Sequence, residues 1–239
     1  HGFEGPPDPI EGELGFLQAY AEDPRPAVAT AALGRRFEAV RTKIKPYPVG
    51  TFAHVPIALL LELGEIHGLG PEPIERVEVT LPTSGAEMFG REPDTPAPTS
   101  SAAAQFDMPF GAGLARCHGE GGIGAFTAAV ESGDAGFQSV MARTQTIASA
   151  ELGAALPERY PAAVTVETAT DSYSAQRAWV AGEPDHPLSW GALDGKVADL
   201  FGVSDPAGLA PVRAAVQALP AGDPAELVAA VETARGRAE

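Results

Sequence analysis

The strongest hydrophobic pattern lies in the second quarter of the chain, where apolar residues at helical spacing are followed by alternating ones. Ile57, Leu60 and Leu61 share one face of a helix that ends before Gly68. Between 74 and 81, apolar and polar side chains alternate, which is typical of a half-buried strand. The pattern therefore predicts a helix followed by a strand.

The remaining pattern predicts mostly short elements. Proline, threonine and acidic residues without periodicity indicate a surface loop over 82–99. An alanine-rich run over 101–117 predicts a buried helix, which Pro109 must kink or restart. Further predicted elements are short helices over 11–21, 126–131 and 135–143, a loop and helix end over 25–37, and a hairpin with strands 163–168 and 173–180.

The last 50 residues are predicted to be helical, because suitable N-cap residues begin each segment. Ser189, Asp205 and Asp223 are residue types that cap helix N-termini, and the last two precede prolines. Because the strands are few and unevenly spaced among the helices, the pattern predicts an α+β fold rather than a doubly wound sheet.

Charge and composition narrow the class of protein. The 239 residues contain 16 basic and 32 acidic side chains, for a net charge of −16. No basic block is present to bind nucleic acid or an anionic membrane, so neither is an expected partner. No apolar run approaches the roughly 20 residues of a membrane span, and no signal peptide is recognised, so we expect a cytoplasmic protein.

Lys45-Pro46-Tyr47-Pro48, followed by His54, is the best candidate for chemistry. The two prolines hold Lys45 and Tyr47 extended, so their side chains diverge from a rigid turn. A partly desolvated lysine can bind a carboxylate or lose its proton and act as a base. The local sequence alone nevertheless favours a solvated lysine beside a structural tyrosine.

Two other motifs do not predict a site. Residues 119–124 fit the glycine pattern of a dinucleotide loop, but a helical run rather than a strand precedes them, so a helix-ending glycine turn is the better interpretation. Cys117 and His118 are adjacent, but they diverge on a helix and no other cysteine or histidine lies nearby. We therefore expect neither a dinucleotide loop nor a metal site here, and the single cysteine excludes an internal disulfide.

Taken together, several blocks resemble the C-terminal half of the MmgE/PrpD family, which includes 2-methylcitrate dehydratase, cis-aconitate decarboxylase and iminodisuccinate epimerase. They occur in the family's order over nearly all of the chain. The blocks are Gly2-Phe3-Glu4-Gly5-Pro6 with Glu11-Gly12 and Gly15-Phe16, the Lys45 turn with His54 and Ile57, residues 74–79, residues 104–110, and residues 182–189.

The resemblance implies an architecture in which a helical domain and a smaller α+β domain form a cleft. Residues 1–36 would end the helical domain, 37–181 would form the α+β domain, and 182–239 would return to the helical domain. Because only the family's second half is matched, and because the sequence begins at His1, we expect a fragment or subunit. A partner chain that supplies the N-terminal helical half, or a homodimer, would complete it.

The resemblance also implies roles for particular residues. Lys45 and His54 match catalytic positions, with the lysine binding a carboxylate or stabilising an enolate. Tyr47, Thr51 and Phe110 match positions around the substrate. Phe110 stands where several members carry tyrosine, and Val49-Gly50-Thr51 replaces a common Cys-Cys-Arg, which removes a bidentate carboxylate clamp.

The expected function is therefore a fragment or subunit of a cofactor-free lyase, similar to 2-methylcitrate dehydratase. It would remove a proton α to a carboxylate of a small di- or tricarboxylate. The alternatives are an isomerase or epimerase of a dicarboxylate such as iminodisuccinate, and a non-catalytic partner subunit.

Overall fold

The computed structural model describes residues 2, 4–70, 74–92, 95–119, 121–132, 134–203 and 205–235. These residues fall into two compact units, His1–Thr42 and Lys43–Glu239. The first unit contains the short helices α1 (Phe16–Tyr20) and α2 (Pro26–Thr30) and a 3₁₀ turn over Glu38–Arg41. The helix predicted over 11–21 is confirmed only for its last part.

The second unit contains a four-stranded sheet, and the predicted α+β class is confirmed. The strands are β1 (Ile74–Pro82), β2 (Thr144–Ser149), β3 (Ala162–Thr168) and β4 (Ser172–Arg177), in the spatial order β2-β1-β3-β4. β1 pairs parallel with β2 and antiparallel with β3, and β3 and β4 form the predicted hairpin. No described helix is long and apolar enough to cross a membrane.

Helices cover the sheet and continue to the C-terminal part of the chain. They are α3 (His54–His67), α4 (Thr83–Phe89), α5 (Ser101–Ala104), α6 (Met108–Gly113), α7 (Ile123–Ser132), α8 (Ala135–Ala142), α9 (Ala150–Gly153), α10 (Trp190–Phe201), α11 (Ala210–Ala218) and α12 (Pro224–Arg235). Short 3₁₀ segments over Thr51–Ala53 and Pro206–Leu209 and a π segment over Leu114–His118 complete the unit.

The main core lies between the sheet and α3. Val77, Val79 and Leu81 are fully buried on one face of β1, as their alternation predicts, and the first two lie opposite Val166 and Val164 of β3. Eight residues of α3 are also buried. This core fixes the N-terminus of α3, and with it His54, against the rest of the unit.

Several elements differ from the prediction, and two of them lie beside β1. The segment predicted as a loop over 82–99 contains α4, whose Gly85 leaves room for the ring of Phe52. The sequence pattern also missed β2, which is largely exposed and carries mostly polar side chains. An edge strand of this kind is held by backbone pairing to β1, so it needs no apolar alternation.

The break expected at Pro109 is confirmed. α6 restarts at Met108, where the Asp107 carboxylate accepts the Phe110 N–H at 2.7 Å and Pro109 occupies the first turn. A proline is tolerated there because the first N–H groups of a helix have no partner within the helix.

Candidate active site

The candidate site begins with an extended segment over residues 43–45. The Ile44 N–H donates to the Gly182 carbonyl at 2.8 Å, which fixes the segment against the turn that follows β4. Gly182 has φ +102°, and a Cβ at this position would collide with the Ile44 carbonyl oxygen. Only glycine suits both the backbone conformation and the close approach.

The two prolines then turn the chain back toward α3. Lys45 Nζ donates to the Val49 carbonyl at 3.1 Å, so the side chain lies over the turn that Pro46 and Pro48 form. Among the described residues, no carboxylate lies within 4 Å of this ammonium. One of its three N–H donors is used by the Val49 carbonyl, so two have no acceptor among the described residues.

A small cavity of about 70 Å³ lies beside this turn. Lys45, Thr51 and His54, three of the residues singled out in the sequence, line it together. The other lining residues are Lys43, Ile44, Pro46, Val55, Tyr160, Val180, Gly182 and Glu183. The space is enough for one or two water molecules or a carboxylate group.

His54 lies at the start of α3 and is only 3% exposed. Neither Nδ1 nor Nε2 has a hydrogen-bond partner among the described residues. Burial and the positive charges of Lys45, Lys196 and Lys43 lower its pKa from 6.5 to about 3. The side chain is therefore a neutral imidazole at pH 7, and its one donor and one acceptor are buried and not used by any described residue.

Tyr47 contacts His54 rather than the cavity. The two rings stack with centroids 5.9 Å apart. Burial, and next the nearby Glu62, raise the pKa of Tyr47 to about 12, so the phenol stays protonated at neutral pH. Tyr47 packs on one face of the His54 imidazole and helps to fix its orientation.

Phe110 is not brought together with the other predicted site residues. Its ring is 2% exposed and lies in the main core, with edge-on contacts to Phe126 and Phe137 at centroid distances of 5.3 and 5.1 Å. It does not line the cavity of Lys45 and His54. A proposed contact between Phe110 and a substrate remains a prediction.

Three further residues at the cavity were missed in the sequence. Glu183 is 3% exposed and is paired with Lys43 at 3.5 Å and Arg159 at 2.7 Å. Lys43 also lies over the Tyr160 ring, 4.8 Å from its centroid. Lys43 could have been found, because residues two apart in an extended segment point to the same side. No sequence pattern indicates that Tyr160, or the Arg159 that pairs with Glu183, lies near this site.

The glycine motif has a different role from nucleotide binding. Gly119 ends the π segment in the left-handed conformation, at φ +65°, which confirms the predicted helix-ending turn. The N-terminus of α7 is already occupied, because the Asp199 carboxylate accepts the Ile123 N–H at 2.5 Å and the Gly124 N–H at 3.1 Å. This carboxylate neutralises the positive end of the helix where a phosphate would otherwise bind.

The arrangement is suited to an anionic ligand. Lys43 is paired with Glu183, so Lys45 is the lysine at the cavity without a carboxylate partner among the described residues, and it lies beside a neutral imidazole. Within the described ranges, no three histidine, cysteine, aspartate or glutamate residues come together as metal ligands.

Comparison with protein families gives one match. The family model described as the MmgE/PrpD C-terminal domain matches residues 47–214, which are 168 of the 239 residues. A search of curated proteins gave no match. The matched span includes His54, Thr51 and the whole sheet, and it begins two residues after Lys45.

Proposed function

This chain belongs to the MmgE/PrpD family, and we propose that it carries the carboxylate-binding part of a lyase that removes a proton α to a carboxylate. The proposed substrate is a small di- or tricarboxylate of the kind that 2-methylcitrate dehydratase uses. The single observation that carries this proposal is the pair of Lys45 and His54 at one cavity, an ammonium beside an unpartnered neutral imidazole.

Lys45 has the position and charge for the main electrostatic role. When a proton leaves the α-carbon, its bonding electrons move onto the adjacent carboxylate and form an enediolate. A cation fixed beside this carboxylate stabilises the charge where it develops, which is usually the largest catalytic contribution. The rigid turn and the bond to the Val49 carbonyl hold the ammonium before the substrate arrives.

His54 is better suited to binding than to proton abstraction. With a pKa lowered to about 3, the free imidazole is a weak base, because burial and three lysines disfavour its protonated form. Its neutral ring can still hydrogen-bond the substrate. We therefore assign His54 to substrate orientation and infer that the base comes from elsewhere in the assembly.

We propose that the base comes from a partner chain that supplies an N-terminal helical half, or from the second copy in a homodimer. Exposed apolar side chains in the first unit favour such a partner, because extensive exposed apolar surface is typical of interaction sites. Eight large apolar residues there are at least half exposed: Ile10, Leu14, Phe16, Tyr20, Val28, Leu33, Phe37 and Val40.

The test is proton exchange catalysed by the assembled protein. Incubation in D₂O with succinate, citrate and 2-methylcitrate, followed by NMR, reports replacement of the α-proton and any elimination product. We expect Lys45→Ala to lower the exchange rate by at least about 100-fold, the cost of losing one preorganised electrostatic contact, with little change in melting temperature.

Arg143→Ala is the matched control, because Arg143 is an exposed cation outside the cavity. It should leave the exchange rate unchanged. Equal rates for wild type and Lys45→Ala would remove Lys45 from the mechanism and the proposal with it.

An isomerase or epimerase is the second candidate, because the family that the chain resembles includes iminodisuccinate epimerase. Moving a proton between two faces of one carbon needs no acid to protonate a leaving group. Exchange with inversion at the α-carbon but without elimination would identify this reaction. Absence of exchange in the complete assembly would favour a non-catalytic partner subunit.

A further inference from the structure

The distribution of lysines points to a second position at the same site. The chain has 13 arginines but only three lysines, Lys43, Lys45 and Lys196. All three are close enough to His54 for their charge to disfavour its protonation. The first two belong to one extended segment, whereas Lys196 lies on α10, about 150 residues later in the chain. Their convergence is a property of the fold.

Lys196 has no internal carboxylate partner among the described residues. Asp199, three residues further along α10, is the expected partner on the same helix face. Its carboxylate instead accepts the Ile123 and Gly124 N–H groups at the start of α7. Asp194, the other acidic residue of α10, is paired with Arg213 at 2.6 Å. Both carboxylates of the helix are thus engaged elsewhere.

The backbone that carries Lys196 is fixed at several points. The Ser189 hydroxyl caps α10 by accepting the Ala192 N–H at 3.1 Å, and Gly202 ends the helix at φ +66°. Gly122 lies so close to the Asp199 carboxylate that a Cβ there would collide with it. The helix is therefore held against the start of α7, which fixes the backbone position of Lys196.

Lys196 lines a second cavity, of about 440 Å³, which Asp199 also lines. Pro46 lines both this cavity and the smaller one of Lys45 and His54. The volume of the Lys196 cavity lies in the range of small-molecule sites. Gly195, with open space where a side chain would lie, leaves the wall beside Lys196 uncrowded.

We propose that Lys196 is a second carboxylate subsite, which binds the far carboxylate of a substrate whose reacting carboxylate is held by Lys45. This inference rests on the proposed function for the identity of the reacting end. It assigns to Lys196 the selection of di- and tricarboxylates over monocarboxylates. In this role Lys196 is a binding residue that determines specificity and does not touch the reacting carbon.

The test is direct binding by the full chain, measured by calorimetry at low salt with citrate, succinate and butyrate as probes. We expect citrate and succinate to bind more tightly than butyrate. Lys196→Met should weaken the binding of citrate and of succinate by about tenfold, as expected for the loss of one charge-assisted contact. The affinity for butyrate should not change. Lys196→Arg should retain most of the affinity, and Arg143→Met controls for the loss of one positive charge.

The outcomes separate this subsite from the proposed function. Unchanged citrate affinity in Lys196→Met, equal weakening of all three probes, or no citrate binding by the wild type would overturn the subsite. If Lys45→Ala loses proton exchange while Lys196→Met binds citrate normally, the proposed function stands and the subsite falls. If Lys45→Ala exchanges protons normally but Lys196→Met selectively loses citrate, the subsite stands and the proposed function falls.

Discussion

At the residue scale, His54 combines features that are costly for folding. A buried imidazole without hydrogen-bond partners loses the bonds it makes to water in the unfolded chain. The positive charges of three nearby lysines also prevent the imidazole from taking up a proton at neutral pH. A side chain with a partner on each nitrogen would be more stable, so the arrangement favours a ligand as the missing partner.

Because the pKa of His54 is lowered in the folded chain, the unfolding free energy should depend on pH. The unfolded chain takes up a proton near pH 6.5, whereas the folded chain resists it until about pH 3. Between these values the unfolded state binds more protons, so the unfolding free energy should fall as the pH falls, by up to about 1.4 kcal/mol per pH unit from this residue. Above pH 7 the contribution of His54 should not change.

Urea denaturation of wild type and His54→Leu from pH 4 to 8 measures this contribution as a difference between the two proteins. The difference should grow in favour of the variant as the pH falls below 6.5. His67→Gln, which replaces an exposed histidine of the same helix, should follow the wild type. A difference that is independent of pH would show that His54 is protonated in the folded protein as readily as in the unfolded one.

At the scale of elements, prediction succeeded where the signal is local. α3, β1 and the β3–β4 hairpin follow from periodicity, and the caps at Ser189, Asp205 and Asp223 each accept a backbone N–H as expected. β2 was missed because its pairing with β1 comes from a distant segment. For the same reason, the sequence could relate Lys45 to His54, which are near each other along the chain, but not to Lys196, whose approach depends on how α10 packs.

The contact between α10 and α7 makes a second prediction. Asp199→Ala removes an acceptor from two N–H groups at the start of α7 and should cost about 1 kcal/mol, as for the loss of an N-cap. Gly122→Ala should destabilise the same contact by steric collision with the Asp199 carboxylate. Gly195→Ala is the control, since its Cβ enters open space within a helix and should stabilise by about 0.5–1 kcal/mol.

A double-mutant cycle tests whether the first two changes act on one contact. If they do, Asp199→Ala with Gly122→Ala should cost clearly less than the sum of the single variants, because the collision disappears with the carboxylate. Additive costs, measured by chemical denaturation, would mean that Asp199 and Gly122 stabilise the protein independently.

At the scale of the whole molecule, the charge distribution and the exposed apolar residues have separate consequences. A net charge of −16 repels small carboxylates from most of the surface, so a site with local excess of lysine can attract them selectively. The first unit differs from the second in burial. Its two helices and its 3₁₀ turn contain no buried residue, whereas α3 alone contains eight.

This contrast predicts a large difference in hydrogen exchange. Amides are protected according to the free energy needed to open their surroundings, which is small where few apolar contacts are lost. Peptides within residues 4–42 of the isolated chain should exchange in seconds to minutes, while peptides covering α3 and β1 should exchange orders of magnitude more slowly. Mass spectrometry of the exchanged peptides gives both rates in one experiment.

The same experiment tests whether the first unit is a partner-binding surface. If a partner chain or a second copy covers the apolar side chains, protection within 4–42 should rise in the complex and remain unchanged in α3. Leu14→Ser, at a residue 98% exposed in the chain alone, should reduce that gain without affecting the isolated chain, because it removes apolar surface only the partner would bury. Strong protection of 4–42 without a partner would instead mean that these side chains are already buried, and exposure would no longer argue for a partner.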